Sequence, residues 1–210
     1  MVKYYAVKSQ NGNKVFVDWV QTQDFIKNNK KVTFKSFSNF DDAVSFLNDT
    51  LHSEINIVIK NNQALIFTDG SFDNKTNRYS YASIILLNDS VYELYGSEIE
   101  YLEFQNIAGE VMAVIYSLHF LHSIGISEVI INHDYIGIRA WAINSWKAKS
   151  KIAEYYKSII DYYFNKINIS FNHIFGHTNN KYNLMADALT KLGYNFDSPQ
   201  IVKRKPTGSL

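Results

Sequence analysis

The chain has 210 residues, of which 46% are hydrophobic and 20% charged, a composition that excludes a disordered chain and allows one main core with a small additional module. It contains no cysteine, which excludes disulfides and thiolate metal sites. The sequence has no run of about 20 apolar residues of the kind that a membrane helix needs, and no apolar signal core near its start. We therefore expect a cytoplasmic protein without membrane contact.

The net charge of +1 is distributed unevenly, because residues 1–38 contain seven lysines and two aspartates and the remainder is acidic. A basic module beside a more acidic body suits a protein that binds a polyanion with one part and performs chemistry with another. A solvated, lysine-rich surface explains the same charge equally well.

The first 48 residues predict a small α+β domain with a three-stranded antiparallel sheet. Its predicted strands, rich in aromatic and β-branched residues, cover residues 4–8, 15–20 and 32–37. Asn11-Gly12 is a hairpin turn signal, and Asn39 is a suitable N-cap for the helix that follows. Residues 49–63 are interpreted as a linker, although INIVIK within them has the composition of a strand.

From Ala64 onward the pattern predicts a larger α/β domain. Its predicted strands cover residues 64–71, 79–87, 91–97, 128–134 and 167–175, and its predicted helices cover 108–125, 136–147, 150–165 and 184–193. The first three strands form an antiparallel meander, and the later two return through helices and lie parallel to a neighbour. We expect a mixed five-stranded sheet flanked by helices, followed by a poorly ordered tail from residue 196 that contains both prolines.

Four carboxylates stand at the ends of these predicted elements. Asp69 and Asp134 end buried strands, Glu110 lies in the first turn of a helix, and Asp187 lies in the apolar context LMADALTKL. Taken singly, each has an ordinary explanation as a turn, a helix cap, a surface acid favoured by the helix dipole, or an exposed helix position. If the four converge, their mutual repulsion requires a cation, and oxygen ligands favour Mg²⁺ or Mn²⁺. Two such ions about 4 Å apart suit phosphodiester cleavage.

The motifs FTDGS, NIAGE, INHD and MADALTK resemble, in order, the four acidic motifs of the type 1 ribonuclease H family, over nearly all of residues 64–194. The resemblance implies that Asp69, Glu110, Asp134 and Asp187 are catalytic metal ligands for two Mg²⁺ ions, with Mn²⁺ as a substitute. GHTNN resembles the flexible loop before the last acid, and its histidine, His177, is implied to assist proton transfer or product release. A loop histidine by itself is more often a surface residue.

Further residues are expected to contact the substrate. The resemblance places Asn106 near the 2′-hydroxyls or a flanking base, Asn183 near the cleft, and Gly70 and Ser71 beside the first acid. Residues 134–157 resemble the helical handle of the family, where we expect Trp141, Trp146 and Lys147 to contact the DNA strand. The alternative is that the tryptophans are core residues and the lysines are solvated.

The N-terminal segment, roughly residues 3–48, resembles the hybrid-binding (viroplasmin-like) domain that many ribonucleases H carry. The resemblance implies nucleic-acid contacts that involve the residues Tyr5, Trp19, Phe34, Lys35 and Ser36. It implies that Trp19 and Phe34 stack on the DNA sugar face with a contribution from Tyr5, and that Lys35 and Ser36 meet phosphate or backbone. The alternative is a Trp–Phe minicore. The chain departs from the family pattern before the third strand, where KNNKK replaces the glycine-bearing loop that many members have.

Together these patterns predict an endoribonuclease that hydrolyses the RNA strand of RNA–DNA hybrids by a two-metal-ion mechanism and leaves 5′-phosphate and 3′-hydroxyl ends. The predicted domains are 1–48 for hybrid binding, 49–63 as linker, 64–195 for catalysis and 196–210 as tail. An RNA–DNA hybrid is the expected partner, with no obligate protein partner, and a monomer is the expected state. A non-catalytic hybrid- or duplex-RNA-binding protein, another nuclease on the same fold, and a structural accessory protein remain alternatives.

Overall fold

The computed structural model describes residues 3–10, 12–16, 19–38, 40–47, 62–87, 90–174 and 180–204. Several predicted features lie outside these described residues: His177, Asn11, Asn39, linker residues 49–61 and residues 205–210 of the tail.

The N-terminal domain is a three-stranded antiparallel sheet with two helices. Its elements are β1 (Tyr4–Lys8), β2 (Lys14–Phe16), α1 (Trp19–Lys27), β3 (Thr33–Phe37) and α2 (Phe40–Leu47). The strand order is β2-β1-β3, with β1 in the centre. The predicted three-stranded antiparallel sheet is therefore present.

One element of this domain was not predicted. The sequence predicts a strand over residues 15–20, but β2 ends at Phe16 and Trp19 begins the helix α1, so that prediction was wrong. The helix buries Thr22 completely and places Phe25 against Phe16, with ring centroids 5.3 Å apart. This packing outweighs the local strand preference of the aromatic and β-branched residues, because such preference depends strongly on tertiary context.

The larger domain is built on a six-stranded mixed sheet. Its strands are β4 (Gln63–Asp73), β5 (Arg78–Leu87), β6 (Ser90–Glu98), β7 (Glu128–His133), β8 (Asn168–His173) and β9 (Gln200–Arg204). The order is β8-β7-β4-β5-β6-β9. β5 pairs antiparallel with β4 and β6, and β7 lies parallel to both β4 and β8. The predicted meander and parallel returns are confirmed.

Helices cover both faces of this sheet, as predicted. They are α3 (Asn106–Ser123), α4 (Gly137–Ala142), α5 (Lys151–Phe164) and α6 (Lys181–Gly193), and a short 3-10 helix, Leu102–Phe104, precedes α3. Side chains from α3, α4 and α5 share one buried cluster with alternate residues of the sheet, and α6 packs on the opposite face. The strand β5 is buried along nearly its whole length because both of its faces are covered.

The C-terminal segment differs from the prediction of a poorly ordered tail. Residues 200–204 form the strand β9, which pairs antiparallel with the outer edge of β6 and adds a sixth strand to the five that were predicted. Pro199 directly precedes β9, a position where a missing N–H does not interrupt a ladder. The two prolines indicated a poorly ordered tail. The strand forms because the edge of β6, more than 100 residues away in the chain, is open for pairing.

Within the described part of the chain, no helix has both the length and the apolar character that crossing a membrane requires.

Candidate active site

The sheet topology brings Asp69 and Asp134 side by side. β4 and β7 are parallel neighbours whose register pairs Phe67 with Asn132, and each acid lies two residues beyond that pair, toward the carboxyl end of its strand. The carboxyl ends of parallel strands are where open α/β sheets bind ligands. Neither strand alone determines this proximity, which follows from the parallel pairing.

Glu110 joins the two aspartates from the helix that crosses β4. One carboxylate oxygen from each of Asp69, Glu110 and Asp134 can be chosen such that all three lie within 4.8 Å of one another, and the group could hold a metal ion. Glu110 is only 3% exposed, whereas both aspartates are partly exposed. Because α3 begins at Asn106 and not at residue 108, Glu110 lies beyond the first turn where it was predicted.

Two glycines allow α3 to approach β4 this closely. A Cβ atom on Gly70 would lie 2.3 Å from the backbone nitrogen of Glu110 and 2.4 Å from the carbonyl oxygen of Asn106. A Cβ atom on Gly109 would lie 2.8 Å from the Cα of Gly70. The Gly70 amide donates a 3.0 Å hydrogen bond to Oε1 of Glu110, so this contact also orients the glutamate.

The electrostatics of the group favour a bound cation. Burial, followed by the charges of Asp187 and Asp134, raises the pKa of Asp69 well above its ordinary value. Burial, followed by the charges of Asp69 and Asp134, likewise raises the pKa of Glu110. Oε2 of Glu110 is buried and has no hydrogen-bond partner. An unpartnered oxygen among mutually repelling carboxylates fits a hard divalent cation.

Asp187 lies on α6, outside this group of three. It is close enough for its charge to raise the pKa of Asp69, and it is partly exposed on the helix. Lys191, one helical turn later, lies with Nζ 3.8 Å from Oδ1 of Asp187 and donates a 2.8 Å hydrogen bond to Oγ of Ser71. The lysine was not predicted as a site residue, although its i,i+4 spacing from Asp187 within the quoted motif is the signal that indicates it.

Two histidines near Asp134 were also missed. His133 is completely buried; its Nδ1 donates to the carbonyl of Tyr135 at 3.0 Å, and burial lowers its pKa to about 4. Nε2 of His173 donates to the carbonyl of Asp134 at 3.1 Å. Both histidines therefore bind the backbone around Asp134 and support its position.

The N-terminal domain carries a connected, partly exposed aromatic surface. The Trp19 ring lies 5.1 Å from Tyr5 and 5.7 Å from Phe34, centroid to centroid, and Trp19 and Phe34 are 39% and 46% exposed. Ser36 pairs with Tyr5 and lies on the same sheet face as Phe34. Lys35 lies on the opposite face, where its Nζ is 5.4 Å from the centroid of the Phe37 ring. The structure thus groups four of the five predicted residues and separates the lysine.

Comparison with known proteins agrees with this geometry. The family model described as RNase H matches residues 61–195. The chain belongs to the RNase H family. A second family model, the ribonuclease H1 N-terminal domain, matches residues 3–47. Both resemblances inferred from the motifs are confirmed, and the chain is a ribonuclease H, a hydrolase. Among curated proteins, none matches the sequence significantly.

Solved ribonuclease H structures share the fold of the larger domain. RNase H1 from Halobacterium salinarum is 15% identical, with a TM-score of 0.52 over 62% of this chain and 96% of its own. The N-terminal RNase H domain of rv2228c from Mycobacterium tuberculosis is 16% identical, with a TM-score of 0.52 over 63% and 94%. LC11-RNase H1, solved in complex with an RNA/DNA hybrid, is 20% identical, with a TM-score of 0.52 over 63% and 96%. At these identities the likeness shows the fold.

The residues predicted as the RNase H handle divide into two kinds. Trp141 is 8% exposed and packs against Tyr135 and Tyr156 in the core, so its surroundings do not place it on a substrate surface. Trp146, 45% exposed, and Lys147 lie on the surface after α4.

Two asparagines flank the acidic group of this RNase H domain. Asn106 is exposed at the start of α3, and its backbone oxygen faces Gly70. The side-chain oxygen of Asn183, near the start of α6, is buried without a hydrogen-bond partner. Both positions are compatible with the predicted substrate contacts.

Proposed function

We propose that this ribonuclease H is an endonuclease that hydrolyses the RNA strand of RNA–DNA hybrids with two bound Mg²⁺ ions, leaving 5′-phosphate and 3′-hydroxyl ends. The observation that carries the proposal is the convergence of Asp69, Glu110 and Asp134 within 4.8 Å at the carboxyl ends of two parallel strands. Membership of the RNase H family supports hybrid cleavage over the alternative of a binding protein.

The proposed metal ligands are Asp69, Glu110, Asp134 and Asp187. The first three already share one small volume, and Asp187 faces Asp69 from α6. When bound there, Mg²⁺ or Mn²⁺ would supply an activated water and would stabilise the charge on the leaving oxygen. The all-oxygen donor set and the unpartnered Oε2 of Glu110 support this choice of ion.

The chain's own groups would position the reacting strand. Ser71 is held by Lys191 and Gly70 is held against α3, so the backbone after Asp69 is fixed beside the acidic group. Asn106 is proposed to contact a 2′-hydroxyl, the group that distinguishes RNA from DNA, or a flanking base, and Asn183 is proposed to contact the substrate nearby. His177 is proposed to assist proton transfer or product release, and an imidazole suits proton transfer near neutral pH.

Hybrid recognition is proposed to involve the N-terminal domain, residues 1–48, connected to the catalytic domain, residues 64–195, by a linker over residues 49–63. The exposed Trp19 and Phe34 rings offer stacking surfaces. The domain matches the ribonuclease H1 N-terminal domain, and a structural relative, LC11-RNase H1, was solved with an RNA/DNA hybrid. Lys35 lies on the other sheet face, so its proposed phosphate contact would be separate from this aromatic surface.

The test is cleavage of an end-labelled RNA–DNA hybrid with Mg²⁺, compared with EDTA and with duplex RNA. We expect cleavage of the RNA strand that is lost in EDTA and absent for duplex RNA. Asp69→Asn should abolish turnover and retain hybrid binding, because it removes one proposed ligand and leaves the aromatic surface intact. Asp161→Asn, an exposed acid on α5, is the matched control and should remain active. Tight hybrid binding without cleavage in Mg²⁺ or Mn²⁺ would favour the binding-protein alternative.

A further inference from the structure

The backbone pairing of β4 with β7 ends before it reaches the acidic group. In this fully described stretch of both strands, the last residues that pair are Phe67 and Asn132, and Asp69 and Asp134 each lie two residues farther on. β4 is held there by α3, which contacts Gly70. The position of Asp134 relative to Asp69 therefore depends on other contacts of β7.

Two asparagine side chains cross the three parallel strands at this last pair. Nδ2 of Asn132, on β7, donates a 3.0 Å hydrogen bond to the carbonyl oxygen of Ile66 on β4. Asn172, the register partner of Asn132 on β8, donates a 2.8 Å hydrogen bond from Nδ2 to Oδ1 of Asn132. We name these two hydrogen bonds the amide bridge. It links β8, β7 and β4 in the order in which they lie in the sheet.

The chemistry of the amide group fixes the direction of this bridge. The carbonyl of Ile66 can only accept a hydrogen bond, so Asn132 must direct Nδ2 toward β4 and Oδ1 toward β8. Asn172 must then be the donor. Asn132 is only 4% exposed, so the loss of either bond leaves a buried polar group without its partner. A side chain that is satisfied on both sides in this way couples the position of β8 to that of β4.

β8 also contacts the end of β7 where Asp134 lies. Nε2 of His173 donates to the carbonyl oxygen of Asp134 at 3.1 Å, and the backbone amide of Ile174 donates to the carbonyl oxygen of His133 at 2.8 Å. The side chains of Asn172 and His173 are consecutive on the strand, so they reach β7 from opposite faces of the sheet. β8 thus holds the carboxyl end of β7 on both faces, and the amide bridge passes this constraint to β4.

The separation of the carboxylates matters because Mg²⁺ and Ca²⁺ tolerate different coordination geometries. Mg²⁺ demands a near-ideal octahedron with oxygens at about 2.0–2.1 Å, whereas Ca²⁺ accepts a flexible shell with oxygens at about 2.3–2.6 Å. A site whose carboxylates keep one separation can suit Mg²⁺, and a site that can widen suits Ca²⁺ as well. Residues that hold metal ligands in place typically change metal affinity about 10–100-fold when they are replaced.

We propose that Asn132 and Asn172 are positioning residues of the metal site: the amide bridge fixes the separation of Asp69 and Asp134 and so favours Mg²⁺ over Ca²⁺. Neither asparagine is a metal ligand, and both act through the strands β4 and β7. The inference rests on the proposed function, since it takes the acidic group as the metal site.

The test is thermal unfolding of the metal-free full chain in separate titrations with Mg²⁺ and with Ca²⁺, which report binding to the folded state. Asn172→Leu removes the donor from an exposed position and should raise the Mg²⁺ concentration for half-maximal stabilisation roughly tenfold. The corresponding Ca²⁺ concentration should change much less. Asn132→Leu removes both bonds of the amide bridge and should change the two concentrations in the same way.

Gln63→Leu is the matched control. Nε2 of Gln63 donates a 2.6 Å hydrogen bond to Oε1 of Glu128, which joins the same two strands, β4 and β7, at their opposite ends. The substitution should lower the stability of the metal-free protein and leave both metal concentrations unchanged, because this bond is remote from the acidic group.

The ratio of the Mg²⁺ and Ca²⁺ concentrations distinguishes positioning from general support of the fold, which would affect both ions alike. An unchanged ratio in folded Asn172→Leu, in a parent that Mg²⁺ stabilises, would overturn this inference and leave the proposed function standing. An equal change of the ratio in Gln63→Leu would also overturn it, because the effect would then not depend on the amide bridge. A parent that Mg²⁺ does not stabilise would contradict the proposed function and the inference with it.

Discussion

Gly70 is the position where a single methyl group should separate the two elements that carry Asp69 and Glu110. In Gly70→Ala the new Cβ would lie 2.3 Å from the Glu110 backbone nitrogen and 2.7 Å from the Gly109 carbonyl carbon. Ordinary van der Waals contact begins near 3.4 Å. Because the obstructing atoms are backbone, no side-chain rotation relieves the overlap, and α3 must move from β4 by about 1 Å.

The expected cost of this displacement differs for stability and for activity. Overpacking of this kind costs about 1–3 kcal/mol, which lowers the melting temperature by about 2–4 °C per kcal/mol for a chain of this size. Displacing a reacting group by about 1 Å costs about 10²-fold in rate. The Gly70 amide that holds Glu110 would move with the strand, so we expect the larger loss in kcat.

The assay combines thermal unfolding with hybrid cleavage, and Gly125→Ala is its matched control. Gly125 has φ +80° and no neighbour within 4 Å of an added Cβ, so its substitution costs about 1–2 kcal/mol of left-handed strain without displacing any element. The control should lose stability and retain kcat. Suppose that Gly70→Ala and Gly125→Ala lose similar stability and have the same kcat. The close approach of α3 to β4 would then not position the carboxylates, and our reasoning would be refuted.

Three further substitutions separate the roles of charge and stacking. In metal-free protein Glu110→Gln should raise the stability at alkaline pH, because ionisation of a carboxyl whose pKa is raised by folding opposes folding. The gain in stability should vanish as the pH falls below 4.5, the ordinary pKa of the side chain. Thermal scans in EDTA measure this, and a parent protein more stable than the variant at every pH would contradict it. Lys191→Met should destabilise the metal-free protein by about 1 kcal/mol, because the hydrogen bond to Ser71 is lost. It should also lower the Mg²⁺ concentration that gives half-maximal thermal stabilisation, because the ammonium group no longer competes with the metal ion. A higher Mg²⁺ requirement would argue against this competition. Trp19→Ala should weaken hybrid binding by about 1–3 kcal/mol in fluorescence anisotropy, and unchanged affinity in a folded variant would make Trp19 a core residue.

Local sequence patterns were sufficient to predict most strands of the larger sheet and most of its helices. The strands β4 to β8 and the helices α3, α5 and α6 follow from apolar periodicity and turn residues, and their observed bounds lie within a few residues of the predictions. α1 and β9 were missed because neither has a decisive local signal. α1 depends on the contact of Phe25 with Phe16, and β9 depends on the free edge of β6.

The sequence also identified three acids that the structure brings together, Asp69, Glu110 and Asp134. It did so because each follows or begins an apolar element, and elements of this kind end at predictable places. It did not distinguish Trp141 from Trp146, which have similar neighbours in the chain. Trp141 is in the core and Trp146 is on the surface, and the difference comes from the packing of Trp141 against Tyr135 and Tyr156.

By itself, then, the sequence determined the order of the elements from β4 to α6, the acidic motifs and the family, because these depend on residue type and on spacing over a few turns or strands. Only the tertiary structure decided that Lys191 binds Ser71, 120 positions away, that Lys35 lies on the face opposite Trp19, and that Arg204 pairs with the buried Glu93. Contacts of that kind join residues distant in the chain. They depend on which surfaces of the folded sheet are available for packing, and local sequence patterns do not predict those surfaces.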